Sequence, residues 1–182
     1  MNRVKVLSLP NCITFVRIVI IPVFVTALIY RRYDYGLFLF IVAGLSDMLD
    51  GLLARITGQK TLLGAFLDPL ADKFLLMTAF ILFSVYRWIP IWMTIAVISR
   101  DLIVMLGWLL LYLLYDISKV ESSFTGKTAI ATQLLLIAYT LLSLTVPGIR
   151  PPGNTMLAIV ALLTTLSGLQ YVYRGFRQAS ER

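Results

Sequence analysis

Six long apolar runs limit the folds that are open to this chain. Hydrophobic residues make up 59% of its 182 residues, and each run is close to the roughly 20 residues that a helix needs to cross a bilayer. The approximate limits of the runs are 12–30, 35–56, 62–86, 89–115, 125–147 and 153–173. Only helices and closed barrels satisfy their backbone polar groups in lipid, and these runs are too long for barrel strands. The sequence therefore predicts an all-α integral membrane protein, a six-transmembrane-helix bundle.

The start of the chain and the loops add detail to this prediction. Residues 1–11 precede the first run, and no small-residue cleavage site closes that run. We therefore expect a short N-terminal interfacial segment followed by a membrane span, not a signal peptide. No linker interrupts the runs, so residues 1–182 are predicted to form a single membrane domain.

The distribution of lysine and arginine predicts the orientation in the membrane. One set of run ends carries most of these cations: Arg3, Lys5, Arg55, Lys60, Lys119, Lys127, Arg174, Arg177 and Arg182. The other set carries Arg31, Arg32, Arg87 and Arg150. By the positive-inside rule the N- and C-termini face the cytoplasm. We expect the chain in the inner (cytoplasmic) membrane of a bacterium.

Composition excludes several kinds of site. The chain has no histidine and one cysteine, Cys12, so it has neither an imidazole base nor an internal disulfide. Its net charge of +7 at pH 7 does not form a soluble basic domain, because the cations lie between apolar runs. In a membrane protein such cations set orientation and contact anionic lipid. We expect membrane lipids as partners, and no nucleic acid.

Four aspartates lie inside the second and third runs, where one carboxylate costs roughly 2.5–3.5 kcal/mol. Asp47 and Asp50 are three residues apart, and Asp68 and Asp72 are four apart, so each pair lies on one face of a helix. A short turn near Gly58 predicts antiparallel helices with both pairs at similar depth on the cytoplasmic side. Carboxylate oxygens suit Mg²⁺, Mn²⁺ or Ca²⁺. Four carboxylates are enough to bind two metal ions, or to bind one ion and leave one carboxylate free as a base.

Other interpretations of these aspartates stay open at this point. Asp68 precedes Pro69 and can be a helix N-cap with proline at the first helical position. Asp72 can pair locally with Lys73, although adjacent residues do not face each other on a helix. Intramembrane acids also serve transporters, so a cation or proton transporter is the alternative function from another class.

Small residues and an arginine beside the aspartates favour a phosphate ligand. Gly51 follows Asp50, and Gly64 precedes Asp68. Glycine permits close backbone approach to a bulky group, although helix packing is its alternative role here. Arg55 lies near the cytoplasmic end of its run, where it can reach a phosphate or only orient the chain.

These residues form a spaced motif over positions 47–72. The motif is Asp47-Met-Leu-Asp50-Gly51-Leu-Leu-Ala54-Arg55, followed by Gly64, Asp68 and Asp72. It resembles the signature of the CDP-alcohol phosphotransferase family, whose six-span outline also matches this chain. Members of that family transfer a phosphatidyl or similar group from a CDP-linked donor to an alcohol and release CMP.

The resemblance implies roles for the motif. Asp47, Asp50 and Asp68 would hold divalent metal at the pyrophosphate. Asp72 would complete the metal-binding quartet and, as the catalytic base, would take the proton of the acceptor hydroxyl. The implied CDP-binding residues are Asp47, Gly51, Ala54, Arg55, Gly64 and Asp68. The resemblance also implies Mg²⁺ or Mn²⁺ as cofactor, as one ion or two, CDP-diacylglycerol as donor, and a homodimer.

The acceptor is predicted from resemblance to two branches of the family that act on glycerol hydroxyls, cardiolipin synthase and phosphatidylglycerophosphate synthase. Ile98-Ser99-Arg100-Asp101 resembles the cardiolipin synthase version, and Gly126-Lys127-Thr128 lacks a second lysine that is usual in the other branch. A dianionic acceptor should need more cationic donors, so we predict phosphatidylglycerol, with glycerol-3-phosphate as the alternative.

Further polar residues are candidates for binding the acceptor or a phosphate. They are Asn11, Thr14, Arg17, Lys73, Arg100 and Lys127. For Arg100 and Asp101 the alternative is pairing with partners elsewhere in the bundle. Tyr171, Tyr173 and Trp88 are predicted to be interfacial aromatic residues.

Overall fold

The structure, a computed structural model, describes residues 9–57, 62–115 and 124–180. Side chains are described for residues 16, 18–46, 73–107, 110 and 124–177. The described chain forms six helices and no strands: α1 Leu9–Ile29, α2 Tyr33–Thr57, α3 Leu62–Val85, α4 Ile91–Tyr115, α5 Phe124–Thr145 and α6 Asn154–Ser180. The predicted all-α class is confirmed. The helix bounds agree with the apolar runs within three residues, except that α6 continues to Ser180.

Two of the described helical segments are long and apolar enough to cross a bilayer, Phe124–Thr145 and Asn154–Arg177. Shorter apolar helical segments are Ile18–Ile29, Tyr33–Ser46 and Lys73–Val85. Many large apolar side chains on the described helices are exposed, among them Phe38, Leu135 and Leu162. Exposed apolar surface on this scale suits contact with lipid. The protein is membrane-associated.

The described residues divide into two compact units. The first unit comprises Met1–Leu82 and Leu141–Ile149, and within it α1 packs against α2. Phe24 and Phe40 are buried, and their ring centroids lie 6.4 Å apart. A Cβ added to Gly36 would lie 2.8 Å from Leu28 Cδ2, which is closer than atoms can pack, so the missing side chain lets the two helices approach.

The second unit comprises Phe83–Thr140 and Arg150–Arg182. Within it α4 packs against α6. Its buried apolar side chains include Met93 and Val97 on α4, Leu136 and Ile137 on α5, and Val160 on α6. Polar side chains are buried among them, as described below, and each such group in an apolar surrounding needs a hydrogen-bond partner.

Helices α1 and α3 end in the same hydrogen-bonded motif. At the end of α1, Arg32 N donates to Ala27 O at 2.8 Å and Arg31 N donates to Leu28 O at 3.1 Å. At the end of α3, the backbone N–H groups of Trp88 and Arg87 donate to Phe83 O at 2.8 Å and Ser84 O at 3.0 Å. These are Schellman motifs, in which the residue after the helix takes the left-handed conformation and is usually glycine. Here that residue is an arginine with φ of 58° at Arg31 and 59° at Arg87.

Candidate functional site

The residues of the spaced motif lie on two consecutive helices of the first unit. Residues 47–55 fall in the last part of α2, and residues 64–72 fall in the first part of α3. Because both segments are helical, the three- and four-residue spacings place each aspartate pair on one face of its helix. The predicted helical placement is therefore confirmed.

The position at which α3 begins tests the interpretation of Asp68 as a helix N-cap. The helix begins at Leu62, so Asp68 lies in its second turn and Pro69 lies inside the helix. An N-cap residue immediately precedes the first helical residue. The N-cap interpretation of Asp68 is therefore wrong, and a capping role does not explain this carboxylate in an apolar helix.

The side chains of the motif lie outside the described residues. This holds for Asp47, Asp50, Gly51, Ala54, Arg55, Gly64, Asp68 and Asp72. Among the side chains that are described, no three His, Cys, Asp or Glu residues form a group that could hold a metal ion. Metal and CDP binding by the motif therefore stay predictions. The residue types fit them, because hard carboxylate oxygens are the donors that Mg²⁺ and Mn²⁺ prefer.

The other predicted binding residues are distributed over α1, α3, α4 and α5. Asn11, Thr14 and Arg17 lie in helix α1, and their side chains are outside the described residues. Lys73 is half-buried on α3, one residue after Asp72, and Lys127 is exposed in the first turn of α5. A role for these residues in binding a phosphate or the acceptor stays a prediction.

Arg100 lies in a buried polar cluster between α4 and α6. Its Nη1 lies 2.7 Å from Asp101 Oδ1, and its Nη2 donates to Ser167 Oγ at 2.8 Å. Arg100 is 7% exposed and Asp101 is 1% exposed. A Cβ added to Gly168 would lie 3.2 Å from Arg100 Cγ, so the stem of the arginine runs along the glycine. The Ser167 contact agrees with the alternative that Arg100 has a partner elsewhere in the bundle, whereas its ion pair is with the adjacent Asp101. A phosphate contact by Arg100 stays a prediction.

Sequence reasoning missed further polar contacts, which join α5 to α6. Gln133 Nε2 donates to Thr164 Oγ1 at 3.0 Å, and both residues are buried. Thr125 Oγ1 donates to Gln170 Oε1. The spacing of Thr164, Ser167 and Gln170 places them along one side of α6, a pattern by which the sequence signals interhelical hydrogen bonding.

Tyr171 lies within the second unit. Its ring packs against Gly107, where an added Cβ would lie 3.0 Å from Tyr171 Cε1. Its hydroxyl oxygen is buried and has no hydrogen-bond partner among the described residues. These contacts do not test the depth of Tyr171 in the membrane, so its assignment as an interfacial aromatic stays a prediction. Tyr173, which is 68% exposed, fits that prediction.

Comparison with known proteins places the motif in a family. The model of the CDP-alcohol phosphatidyltransferase family matches residues 7–167, which include the entire motif. The chain belongs to the CDP-alcohol phosphatidyltransferase family. It is thus an enzyme of a family that generally uses divalent cations.

Individual relatives carry more than one name. The chain is 33% identical to a Mycobacterium tuberculosis protein named probable phosphatidylglycerophosphate synthase, over 97% of this chain and 85% of that protein. It is 34% identical to a Wigglesworthia glossinidia brevipalpis CDP-diacylglycerol–glycerol-3-phosphate 3-phosphatidyltransferase, over 94% of this chain and 96% of that protein. It is also 31% identical to a Rattus norvegicus cardiolipin synthase (CMP-forming), over 92% of this chain and 61% of that protein. The names of these relatives differ in the phospholipid that each makes, phosphatidylglycerophosphate or cardiolipin, and one of them names CDP-diacylglycerol and glycerol-3-phosphate.

Proposed function

We propose that this phosphatidyltransferase moves the phosphatidyl group of CDP-diacylglycerol to a glycerol hydroxyl and releases CMP. The observation that carries the proposal is the family motif on α2 and α3, whose aspartate pairs have helical spacing and lie within the residues that match the family. A capping role for Asp68 is excluded, and the relatives' names supply the donor and acceptor classes.

The motif residues divide the chemistry between them. Asp47, Asp50 and Asp68 would hold the divalent cation, which neutralises the pyrophosphate charge when bound. Asp72 accepts the proton of the acceptor hydroxyl as its oxygen bonds to the phosphorus of the phosphatidyl group. The bond from that phosphorus to the CMP oxygen breaks, and CMP leaves with the electron pair. Arg55 and the small residues Gly51, Ala54 and Gly64 would line the CDP site.

Phosphatidylglycerol is the acceptor that we propose, with glycerol-3-phosphate as the alternative. A glycerol-3-phosphate site would need cationic side chains for a phosphate dianion. Two nitrogens of the Arg100 guanidinium already contact Asp101 and Ser167, and the chain lacks a second lysine after Lys127. These two observations support a lipid acceptor, although two of the three relatives above are named for glycerol-3-phosphate chemistry or its product.

The same proposal includes an arrangement in the membrane. We propose that residues 1–182 form one domain with six membrane spans, with both termini and the motif facing the cytoplasm of a bacterial cell. The excess of Lys and Arg at one set of helix ends supports this orientation. The proposal also includes a homodimer, which is supported by the family resemblance alone.

A competition assay tests the acceptor. Purified protein with CDP-diacylglycerol and Mn²⁺ should release CMP when phosphatidylglycerol is supplied, and thin-layer chromatography should show cardiolipin. Supplying both acceptors at equal concentration should give more cardiolipin than phosphatidylglycerophosphate. The opposite product ratio would establish glycerol-3-phosphate as the acceptor. Cation flux into proteoliposomes without nucleotide, together with no CMP release from any acceptor, would favour the transporter.

Removal of divalent cations provides a separate prediction. Chelation with excess EDTA should abolish CMP release, because carboxylates alone add negative charge beside the pyrophosphate. Mg²⁺ or Mn²⁺ in excess of the chelator should restore it, whereas Zn²⁺ should restore less because it prefers nitrogen and sulfur ligands. Full activity in EDTA would contradict a metal-dependent reaction.

A further inference from the structure

A cavity of about 570 Å³ lies in the second unit, between the end of α3 and the start of α6. Its lining includes Ser84, Arg87 and Trp88 from the first of these regions, and Pro151, Asn154 and Leu157 from the second. The volume lies within the range of small-molecule sites in proteins, about 300–1,000 Å³. All lining residues that the structure describes belong to the second unit, whereas the motif belongs to the first.

The polar groups of the cavity favour an anion. Arg87 contributes a guanidinium, Ser84 a hydroxyl, and Asn154 an amide at the first residue of α6. No described residue of the lining carries a carboxylate. Arginine is suited to phosphate because its planar guanidinium can donate two parallel hydrogen bonds. Arg87 is exposed, so a ligand can reach it without displacing an internal partner.

The rest of the lining is apolar and aromatic. Ile89 and Leu157 are buried at 1% and 3% exposure, and prolines 90, 151 and 152 contribute rigid walls. The Trp88 ring stacks on Tyr86, with centroids 5.0 Å apart. Tryptophan and tyrosine are enriched at the depth of lipid headgroups. A phosphate attached to an apolar body fits this lining better than a free inorganic anion, which would leave the apolar walls without contact.

The backbone conformation of Arg87 is unusual for a residue with a side chain. Its φ of 59° is the left-handed conformation, which costs a residue with a Cβ about 1–2 kcal/mol relative to the right-handed form. Glycine would complete the Schellman motif without that cost. Arg31 takes the same conformation, and of the two arginines Arg87 is the one that lines the cavity.

We propose that this cavity binds the headgroup of an anionic phospholipid, with the lipid phosphate against the Arg87 guanidinium. Ser84 and Asn154 provide further hydrogen bonds, and the acyl chains follow the apolar surface next to Leu157. The proposal concerns binding of the lipid alone. The proposed lipid site depends on the membrane association of the chain and not on which acceptor the enzyme uses.

Native mass spectrometry of the purified protein in detergent tests the proposal. The probe is phosphatidylserine, an anionic lipid that is not an acceptor in either proposed reaction, with phosphatidylcholine as the neutral comparison. We expect Arg87→Gln to weaken phosphatidylserine binding about tenfold, the effect of losing one charge-assisted hydrogen bond. Phosphatidylcholine binding should weaken less, because its choline ammonium offsets the charge of its phosphate, so the variant should lose the preference for the anionic lipid. Arg87→Gly should lose the same binding while relieving the backbone, so it remains informative if the glutamine variant folds poorly.

Arg150→Gln is the matched control, because Arg150 is exposed beside Pro151 but does not line the cavity. It should bind phosphatidylserine as the unmodified protein does. Unchanged binding in both Arg87 variants would overturn the proposal. So would equal losses in the Arg87 and Arg150 variants, which would indicate attraction to surface charge in general. Displacement of the lipid by an equal concentration of inorganic phosphate would identify a free anion as the ligand and also overturn it.

Discussion

Replacing Asp72 with asparagine should lower the rate of CMP release by about 10²–10⁴-fold, the contribution of a positioned general base. The amide has nearly the same size as the carboxylate but cannot accept the proton of the acceptor hydroxyl. It also removes one of four negative charges from the motif, which would weaken the hold on the divalent cation. The measurement is the initial rate of CMP release with saturating CDP-diacylglycerol and acceptor.

Asp34 provides the matched control for this variant. It is an exposed aspartate in the first turn of α2, on the helix that also carries Asp47 and Asp50. Asp34→Asn should keep the rate within about twofold, since surface substitutions rarely have large effects. Thermal unfolding of both variants shows whether they are folded. A folded Asp72→Asn protein that keeps more than a tenth of the activity would contradict the assignment of Asp72 as the base.

Replacing Arg100 with methionine should destabilise the protein by about 3–5 kcal/mol, the usual result of removing one partner of a buried ion pair. The Asp101 carboxylate is 1% exposed and would lose the guanidinium nitrogen that lies 2.7 Å from it. Methionine fills much of the arginine stem's volume beside Gly168, so the loss of charge dominates over the loss of packing. The measurement is the thermal unfolding midpoint in detergent, followed by the fluorescence of the tryptophans.

Two further variants separate the parts of this cluster. Ser167→Ala removes one hydrogen bond to Arg100 and should lower the midpoint by less than Arg100→Met does. The double variant Arg100→Met with Asp101→Leu removes both charges and should recover part of the loss. An Arg100→Met protein that unfolds at the same temperature as the parent would show that the ion pair does not stabilise the fold. If Arg100→Lys is folded, a raised KM for the acceptor would instead support phosphate contact.

The helices were predictable because their signal is local. Each apolar run is long, and the punctuating residues between the runs are polar, glycine or proline, so α1 to α6 follow the predicted limits closely. The two long apolar helical segments, Phe124–Thr145 and Asn154–Arg177, agree with membrane spans, and the remaining spans stay a prediction. The ends of α1 and α3 were harder to predict. The left-handed residue after a helix is usually glycine, but here Arg31 and Arg87 occupy that position.

The spacing of Asp47, Asp50, Asp68 and Asp72 determined the family and the type of chemistry from the sequence alone. Spacing along a helix is a local property, and the preference of carboxylate oxygens for hard cations follows from the residue type. Only the tertiary structure decided that Arg100 pairs with Asp101 and with Ser167, which is 67 residues away in the chain. The same holds for the buried hydroxyl of Tyr171 and for the cavity at Arg87. The contact with Ser167 and the cavity bring together residues that are distant in sequence, and their geometry depends on how whole helices pack, which no short pattern encodes. Arg100 and Asp101 are adjacent in the chain, but the burial of their ion pair also depends on that packing.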